Sequence, residues 1–276
     1  MLTSRQNALI KSLRQLHQPK GRQAQHQFLL EGTHLVTEAI ALGHPLSVAC
    51  ATPDWCDRHG DLWHSLEQRA DRCELLSPDL LAYASTIVNP SGVLAAAPLG
   101  HRSTPQLPLQ RAIALETLQD PGNLGTLIRT AAATGVEGVW LSCDSVDLYH
   151  PRVLRASVGQ WFRLPMATVP DLVTQLHGAK AAGMQIVATT LQATQTHWDL
   201  DWRVPTVVVL GNEGAGLSAE VLAVADRQVR IPLAAGVESL NVAIAGAVLL
   251  YEALRQESRE SGNGEGPGEG HEEDHG

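Results

Sequence analysis

Short apolar segments alternate with helical segments through the second half of this 276-residue chain. Strands are predicted at residues 112–118 and 139–142, and residues 123–134 between them are predicted to be a helix. A strand, a helix and a second strand in this order form a parallel pair joined by a crossover. The pattern continues with predicted strands at 185–190, 206–210 and 228–231 and predicted helices at 171–182, 218–225 and 241–256. The second half is therefore predicted to be an α/β domain, with ligands at the carboxyl ends of its strands.

The first half is predicted to be a smaller α/β unit. Its first helix carries the apolar positions Leu9 to Leu16 and is predicted to end near Pro19 to Gly21. Strands at 27–30, 46–51 and 92–97 and helices at 33–42, 62–70 and 78–84 follow. Residues 98–110 contain three prolines, which is typical of a linker. We therefore predict domains at 1–98 and 111–257, a linker at 99–110 and a tail at 258–276.

Charge is distributed unevenly along the chain. The formal net charge is −9, yet seven acidic residues and only one basic residue lie after residue 256. This glycine- and glutamate-rich tail is predicted to be disordered, and the overall acidity says little about partners of the folded part. Before Glu31 the chain has no acidic residue and five basic ones: Arg5, Lys11, Arg14, Lys20 and Arg22. Such a cluster is most often a solvated helix face, and nucleic-acid binding is the alternative.

Several classes of protein are disfavoured by the sequence. The four cysteines (Cys50, Cys56, Cys73 and Cys143) show no Cys-x-x-Cys spacing, so neither a metal site nor a disulfide framework is expected. The amino terminus is polar, and the longest apolar run, Val242–Tyr251, is about half the ~20 residues that cross a bilayer. The expectation is a cytoplasmic protein with no membrane segment and no metal.

Three loops at predicted strand ends carry candidate functional residues. The first, Asp120 to Arg129 (DPGNLGTLIR), is compatible with a tight turn in which Asn123 caps the helix and Arg129 is a surface charge. Arg129 lies among apolar residues, however, where a guanidinium needs an anion as a partner. An anion-binding role is therefore the alternative.

The second loop is Val209 to Ser218 (VLGNEGAGLS), and it matches neither a dinucleotide fingerprint nor a P-loop. Its Glu213 could cap the next helix, neutralise Arg129 or accept a hydrogen bond from a ribose hydroxyl. The third loop is Ile231 to Asn241 (IPLAAGVESLN), in which Ser239 or Asn241 could cap the last helix. No histidine lies nearby to activate Ser239, so a hydrolase triad is not indicated.

Taken together, the three loops resemble the three motifs of the SpoU (TrmH) family in the SPOUT superfamily. These are S-adenosylmethionine-dependent RNA ribose 2'-O-methyltransferases. The resemblance spans residues 112–255, including the run Pro151 to Gly159 (PRVLRASVG). The amino-terminal part resembles the ribosomal-protein-like RNA-binding domain of many members, through its basic first helix and Phe28 to Gly32.

The resemblance implies a parallel sheet tied in a trefoil knot, preceded by a small α/β RNA-binding domain, and a homodimer. By analogy, the catalytic residues would be Arg129, Asn123, Glu213, Ser239 and Asn241. S-adenosylmethionine would be the cofactor, held at Thr189, Leu210, Gly211, Asn212, Gly214, Ile231, Leu233, Leu240, Asn241 and Ala243. Arg129 would act as a base or engage a phosphate, and the second role is favoured because a guanidinium rarely loses its proton.

The predicted reaction is methyl transfer to a ribose 2'-hydroxyl of structured RNA, with 23S rRNA as the expected substrate. Methylation of tRNA and a non-catalytic RNA-binding assembly factor are the alternatives. A nicotinamide-dependent enzyme is disfavoured because the glycine fingerprint is absent.

Overall fold

A computed structural model describes residues 1–100 and 103–262, with side chains described as far as residue 258. The amino-terminal part contains a four-stranded sheet formed by β1 (Gln27–Glu31), β2 (Val48–Ala51), β3 (Cys73–Leu75) and β4 (Val93–Pro98). Their order is β1-β4-β2-β3, with β4 antiparallel to both of its neighbours. The helices of this part are α1 (Ala8–Gln15), α2 (Pro19–Gln25), α3 (Thr33–Ala41), α4 (Pro53–Arg58), α5 (Gly60–Arg69) and α6 (Pro78–Ala84).

The prediction that Pro19 ends the first helix was wrong. Helix α1 ends at Gln15, and Pro19 begins α2. Proline suits the first position of a helix because its missing N–H group needs no partner there.

The second part is built on a seven-stranded sheet in which every recorded pair is parallel. Its strands are β5 (Arg111–Leu115), β6 (Gly138–Ser142), β7 (Met166–Val169), β8 (Gln185–Thr189), β9 (Gln195–Thr196), β10 (Thr206–Leu210) and β11 (Arg227–Arg230). They lie in the order β7-β6-β5-β10-β8-β11-β9. The predicted parallel α/β sheet, preceded by a smaller α/β unit, is therefore confirmed.

Helices cover both faces of this sheet. They are α7 (Pro121–Ala133), α8 (Pro151–Ala156), α9 (Leu172–Ala181), α10 (Ala219–Val224) and α11 (Val242–Gly262). Successive strand residues point to opposite faces, so Ile113 packs in one core with α7, α8 and α11. Ala112 and Ala114 pack in the other core with α9 and α10. Because both faces are buried, the central strands are almost entirely apolar.

The end of the chain differs from the prediction. Helix α11 continues to Gly262, past the position where the disordered tail was predicted to begin. The remainder of the predicted tail, residues 263–276, lies outside the described residues. No helix in the described ranges is long and apolar enough to cross a bilayer.

Polar contacts and an aromatic cluster join the two parts of the chain. Glu31 on β1 pairs with Arg155 on α8, and Glu38 on α3 pairs with Arg163. The ring of Phe28 lies 5.1 Å from that of Trp161 between ring centres. The amino-terminal unit therefore packs directly against α8, the helix that also packs on α7.

Candidate active site

Side chains from all three predicted loops join in one hydrogen-bonded series. The Asn123 amide nitrogen donates to Glu213 Oε1 at 3.0 Å. The Asn241 amide nitrogen donates to Asn123 Oδ1 at 2.9 Å. Three segments that are far apart in the sequence therefore meet at the carboxyl end of the sheet.

The start of α7 determines where the Asn123 side chain lies. Asp120 caps this helix, because its Oδ1 accepts a hydrogen bond from the Asn123 backbone N–H at 2.9 Å. The alternative in which Asn123 is the cap was wrong. Since Asp120 takes that role, the amide of Asn123 is available to bridge Glu213 and Asn241.

The second loop is held rigidly by Asn212. Its Oδ1 accepts from the N–H groups of Gly214 and Ala215, both at 2.9 Å, and its amide donates to the Thr117 carbonyl at 2.9 Å. A Cβ at Gly211 would lie 2.4 Å from the Gly216 backbone, so only glycine fits there. The loop thus presents Glu213 at a fixed place.

Glu213 does not cap the helix that follows it. Ser218 caps α10, accepting from the Val221 N–H at 3.2 Å. The carboxylate of Glu116 in turn accepts from the Ser218 backbone N–H at 2.8 Å and from its hydroxyl at 2.6 Å. Of the proposed roles for Glu213, capping is therefore wrong.

The third segment ends at α11, which Asn241 caps. Asn241 Oδ1 accepts from the Ala243 N–H at 2.9 Å, so Asn241 rather than Ser239 is the cap. A Cβ at Gly246 would lie 2.5 Å from the Leu127 side chain, which shows how closely α11 packs on α7. Ser239 is exposed and makes no hydrogen bond to any described residue.

Arg129 is on the solvent-facing side of α7, although its neighbours Leu127 and Ile128 are buried. The expectation that it is embedded in apolar surroundings was wrong, because the helix turns its guanidinium outward. In the described chain it forms no ion pair with Glu213, which bonds to Asn123 instead. Its charge is available to a ligand.

The predicted cofactor residues line the same edge of the sheet but differ in what they can offer. Leu210 and Ala243 are each 2% exposed and Asn212 is committed to its loop, so these positions can contact a ligand mainly through their backbone. The Thr189 hydroxyl donates to the Val209 carbonyl at 3.1 Å. Gly211 and Gly214 belong to the rigid second loop.

The segment 231–241 suits a cofactor that carries a flat ring and polar edges. Its backbone belongs to neither a helix nor a strand, so its peptide groups can bond to a ligand. Ile231 and Leu233 are half-buried, and Leu240 is 36% exposed. These apolar side chains beside peptide groups outside regular structure fit S-adenosylmethionine, whose adenine needs both.

The predicted RNA-binding residues fall into two groups. Arg5, Lys11, Arg14 and Lys20 are exposed. Arg22 is 1% exposed and donates to Asp147 Oδ2 at 2.6 and 2.9 Å and to the Leu16 carbonyl at 3.0 Å. Its assignment to RNA binding was wrong, because this side chain instead ties the two parts of the chain together.

Helix α8 contributes a side chain beside the site that was not among the predicted site residues. Arg152 on this helix reaches Asp120 Oδ2 at 3.3 Å, next to the start of α7. The signal was present, since two arginines three residues apart follow a proline and so share one side of a short helix. Among the described residues, no group of three or more metal-ligating side chains occurs.

Known proteins match this chain over nearly its whole length. The SpoU rRNA Methylase family profile matches residues 110–251, and an MRM3-like substrate binding domain profile matches residues 7–95. An uncharacterized tRNA/rRNA methyltransferase of Synechocystis is 49% identical over 93% of this chain and 94% of that protein. The Bacillus subtilis 23S rRNA (guanosine(2553)-2'-O)-methyltransferase RlmP is 32% identical over 91% of this chain and 97% of its own.

Solved structures agree with these matches. The AdoMet-bound rRNA methyltransferase from Sinorhizobium meliloti superposes with a TM-score of 0.82 at 31% identity, covering 92% of this chain and 97% of that one. The AdoMet complex of AviRb from Streptomyces viridochromogenes also gives 0.82, at 27% identity, covering 92% and 99%. The predicted resemblance is confirmed, and this chain belongs to the SpoU rRNA methylase family.

Proposed function

We propose that this protein transfers a methyl group from S-adenosylmethionine to a ribose 2'-hydroxyl of 23S rRNA. The series formed by Glu213, Asn123 and Asn241 carries this proposal, because it joins all three family motifs at one edge of the sheet. The relatives support it, since RlmP and the Streptomyces viridochromogenes protein are described as 23S rRNA 2'-O-methyltransferases. They favour rRNA over tRNA as the substrate.

The main role of this site is to align the methyl group with the ribose oxygen. S-adenosylmethionine supplies an electrophilic methyl group, and a correctly aligned ribose oxygen needs little further assistance. The backbone of Leu210–Gly211 and of segment 231–241 would hold the cofactor. Asn123 is fixed from both sides by Glu213 and Asn241, so its position does not depend on substrate. The exposed hydroxyl of Ser239 would bond to the substrate ribose.

Arg129 would orient the phosphate next to the target ribose. A guanidinium keeps its proton at every physiological pH, and its planar fork matches two phosphate oxygens. Arg129 is exposed and carries no carboxylate partner in the described chain, as this role requires.

We also propose a knotted homodimer. The segment 231–241 carries the chain from β11, at the far side of β8, back to α11 on β10 and α7, and this path is compatible with a trefoil knot. The outer side of α11 exposes Ile244 (51%) and Tyr251 (54%) one above the other, which suits a contact with a second copy. That contact would place the exposed Arg129 close to a subunit boundary.

The domain division and the location are proposals as well. Bounds of 1–98, 99–110 and 111–257 are supported by the two separate sheets and by the two profile matches. The four cysteines are free thiols, as is usual in the reducing cytoplasm.

Replacement of Arg129 tests the proposed reaction. With unmodified 23S rRNA transcript and tritiated S-adenosylmethionine, we expect Arg129→Ala and Arg129→Lys to lose at least about 100-fold in methyl transfer, as removal of a single charge-stabilising group typically does. Calorimetric binding of S-adenosylmethionine should stay within several-fold. Arg69→Ala, an exposed arginine of α5, is the matched control. Full activity of Arg129→Ala would contradict the assignment, and RNA binding without any transfer by the native protein would favour an assembly factor.

A further inference from the structure

Two arginines of the amino-terminal unit lie against one tyrosine ring. The guanidinium carbon of Arg5 is 4.6 Å from the centre of the Tyr83 ring, and that of Arg14 is 4.0 Å from it. Arg14 also donates to the Tyr83 carbonyl. The negative face of an aromatic ring attracts such cations, so Tyr83 holds two positive charges close together.

Neither arginine of this pair has a carboxylate partner among the described residues. Elsewhere in this unit, Arg72 pairs with Glu74 and Arg22 with Asp147. Two guanidinium groups repel each other, and without an acid to offset that repulsion they present a concentrated positive charge to solvent. An anion would relieve it.

The arginine pair is connected to the catalytic edge through the end of α6. Tyr83 and Thr86 are three residues apart, at most roughly 10 Å even in extended backbone. Thr86 donates its backbone N–H to Glu31 Oε1 at 2.5 Å, and Arg155 donates to Thr86 Oγ1 at 2.8 Å. These contacts link the end of α6 to α8.

From α8, a side-chain contact reaches the start of α7. Arg152 and Arg155 are three residues apart on α8, so their side chains are neighbours. Arg152 is 57% exposed and lies 3.3 Å from Asp120, the cap of α7. Arginine side chains therefore occur on α1, on α8 and beside the first turn of α7, the helix that bears Asn123.

We propose that Arg5 and Arg14, oriented by the Tyr83 ring, bind the phosphate backbone of the substrate RNA away from the target ribose. The proposal rests on the proposed function, whose RNA it places. Tyr83 is a positioning residue, because its ring lies against both arginines rather than against a reacting group. Phosphate is the ligand that two adjacent guanidinium forks fit best.

The salt dependence of RNA binding tests the arginine pair. Each phosphate contact adds about 0.7–0.9 to the slope of log K against log salt concentration. With unmodified 23S rRNA transcript, we therefore expect the double variant Arg5→Ala/Arg14→Ala to lower this slope by about 1.5, while binding S-adenosylmethionine like the native protein. Tyr83→Leu should weaken RNA binding severalfold, and Tyr83→Phe should restore it, because phenylalanine keeps the ring.

A matched control separates a specific site from the general effect of lost charge. Arg58 and Arg69 are exposed in the same unit and, like Arg14, donate to main-chain carbonyls, but neither lies against a ring. We expect Arg58→Ala/Arg69→Ala to leave the slope nearly unchanged. An equal drop in both double variants would overturn the proposal, as would equal losses in Tyr83→Leu and Tyr83→Phe. If the native protein transfers methyl groups but the two double variants show the same drop in slope, only this inference fails. If the native protein binds RNA without transferring methyl groups, the proposed function fails.

Discussion

The carboxylate of Glu31 offers a quantitative test of how the two parts of the chain are joined. Its side chain is 2% exposed, and Arg155, which donates to it at 2.5 Å, is 31% exposed. Ser85 donates its hydroxyl at 2.6 Å, and Thr86 donates both its N–H and its hydroxyl. Four hydrogen bonds therefore converge on one buried charge, and the change Glu31→Gln removes that charge with almost no change in shape.

The expected decrease in the free energy of unfolding of Glu31→Gln follows from these contacts. Glutamine keeps one oxygen for Ser85 and the Thr86 N–H, but its amide group turns N–H donors toward the Arg155 guanidinium. Hydrogen bonds to charged groups contribute about 1.5–3 kcal/mol each, and breaking a buried ion pair costs about 3–5 kcal/mol. Because Arg155 is partly exposed and can regain water, we expect the lower end, about 3 kcal/mol. At about 2–4 °C per kcal/mol, Tm should fall by about 6–12 °C.

The assay is thermal and urea unfolding followed by circular dichroism, with Glu74→Gln as the control. Glu74 is a glutamate of the same sheet that pairs with Arg72, a half-exposed partner, at 2.7 Å. Surface pairs contribute about 0–1 kcal/mol, so this control should change Tm by at most a few degrees. A decrease in the free energy of unfolding below about 1 kcal/mol in Glu31→Gln, or equal decreases in the two variants, would refute the reasoning.

Two further predictions concern α7 and α8. A Cβ at Gly125 would lie 2.4 Å from Ala156 Cβ and 2.8 Å from the Val153 carbonyl. We therefore expect Gly125→Ala to lower the free energy of unfolding by about 1–3 kcal/mol through overpacking, despite a gain of up to about 1 kcal/mol in helix propensity. Gly60→Ala is the control, because a Cβ there meets open space and should not lower Tm. Burial, followed by the nearby Arg22, lowers the pKa of His150. The unfolded chain therefore binds a proton at higher pH than the native one, and native stability falls as pH decreases from about 7 to 5. His150→Asn, which keeps a capping acceptor for the Arg152 N–H, should reduce this slope in urea titrations, and an unchanged slope would contradict it.

The sequence predicted the regular parts of the fold well. The strand at Thr206–Leu210 has the predicted bounds, because a β-branched run between a proline and a glycine permits little else. Six elements were missed, namely α2, α4, β3, α8, β7 and β9. Helix α8 has only six residues, too few to display a period, and β7 carries a mixed burial pattern. Their structure depends on contacts with distant segments rather than on local preference.

For the site, motif spacing predicted which residues belong together but not how they interact. The bridge from Glu213 through Asn123 to Asn241 requires Asp120 to take the cap, and this choice depends on the entry angle of α7. For Arg22, even the grouping was wrong. It counted as one of five basic residues in an acid-free stretch, and its partner Asp147 lies 125 positions away. Charge counts cannot distinguish a ligand-binding arginine from one that is buried by a distant acid.

The polar contacts between the two parts of the chain restrict their relative orientation, which bears on function. Buried ion pairs add little net stability compared with apolar packing, but their geometry can restrict how two surfaces fit together. Here Glu31 holds α8 through its ion pair with Arg155, and α8 lies against Gly125 of α7. A change in the angle of the amino-terminal unit would therefore break specific hydrogen bonds rather than slide along an apolar surface. If Arg5 and Arg14 bind the RNA as proposed, this restriction fixes their separation from Asn123, and we expect that separation to influence which nucleotide reaches the site.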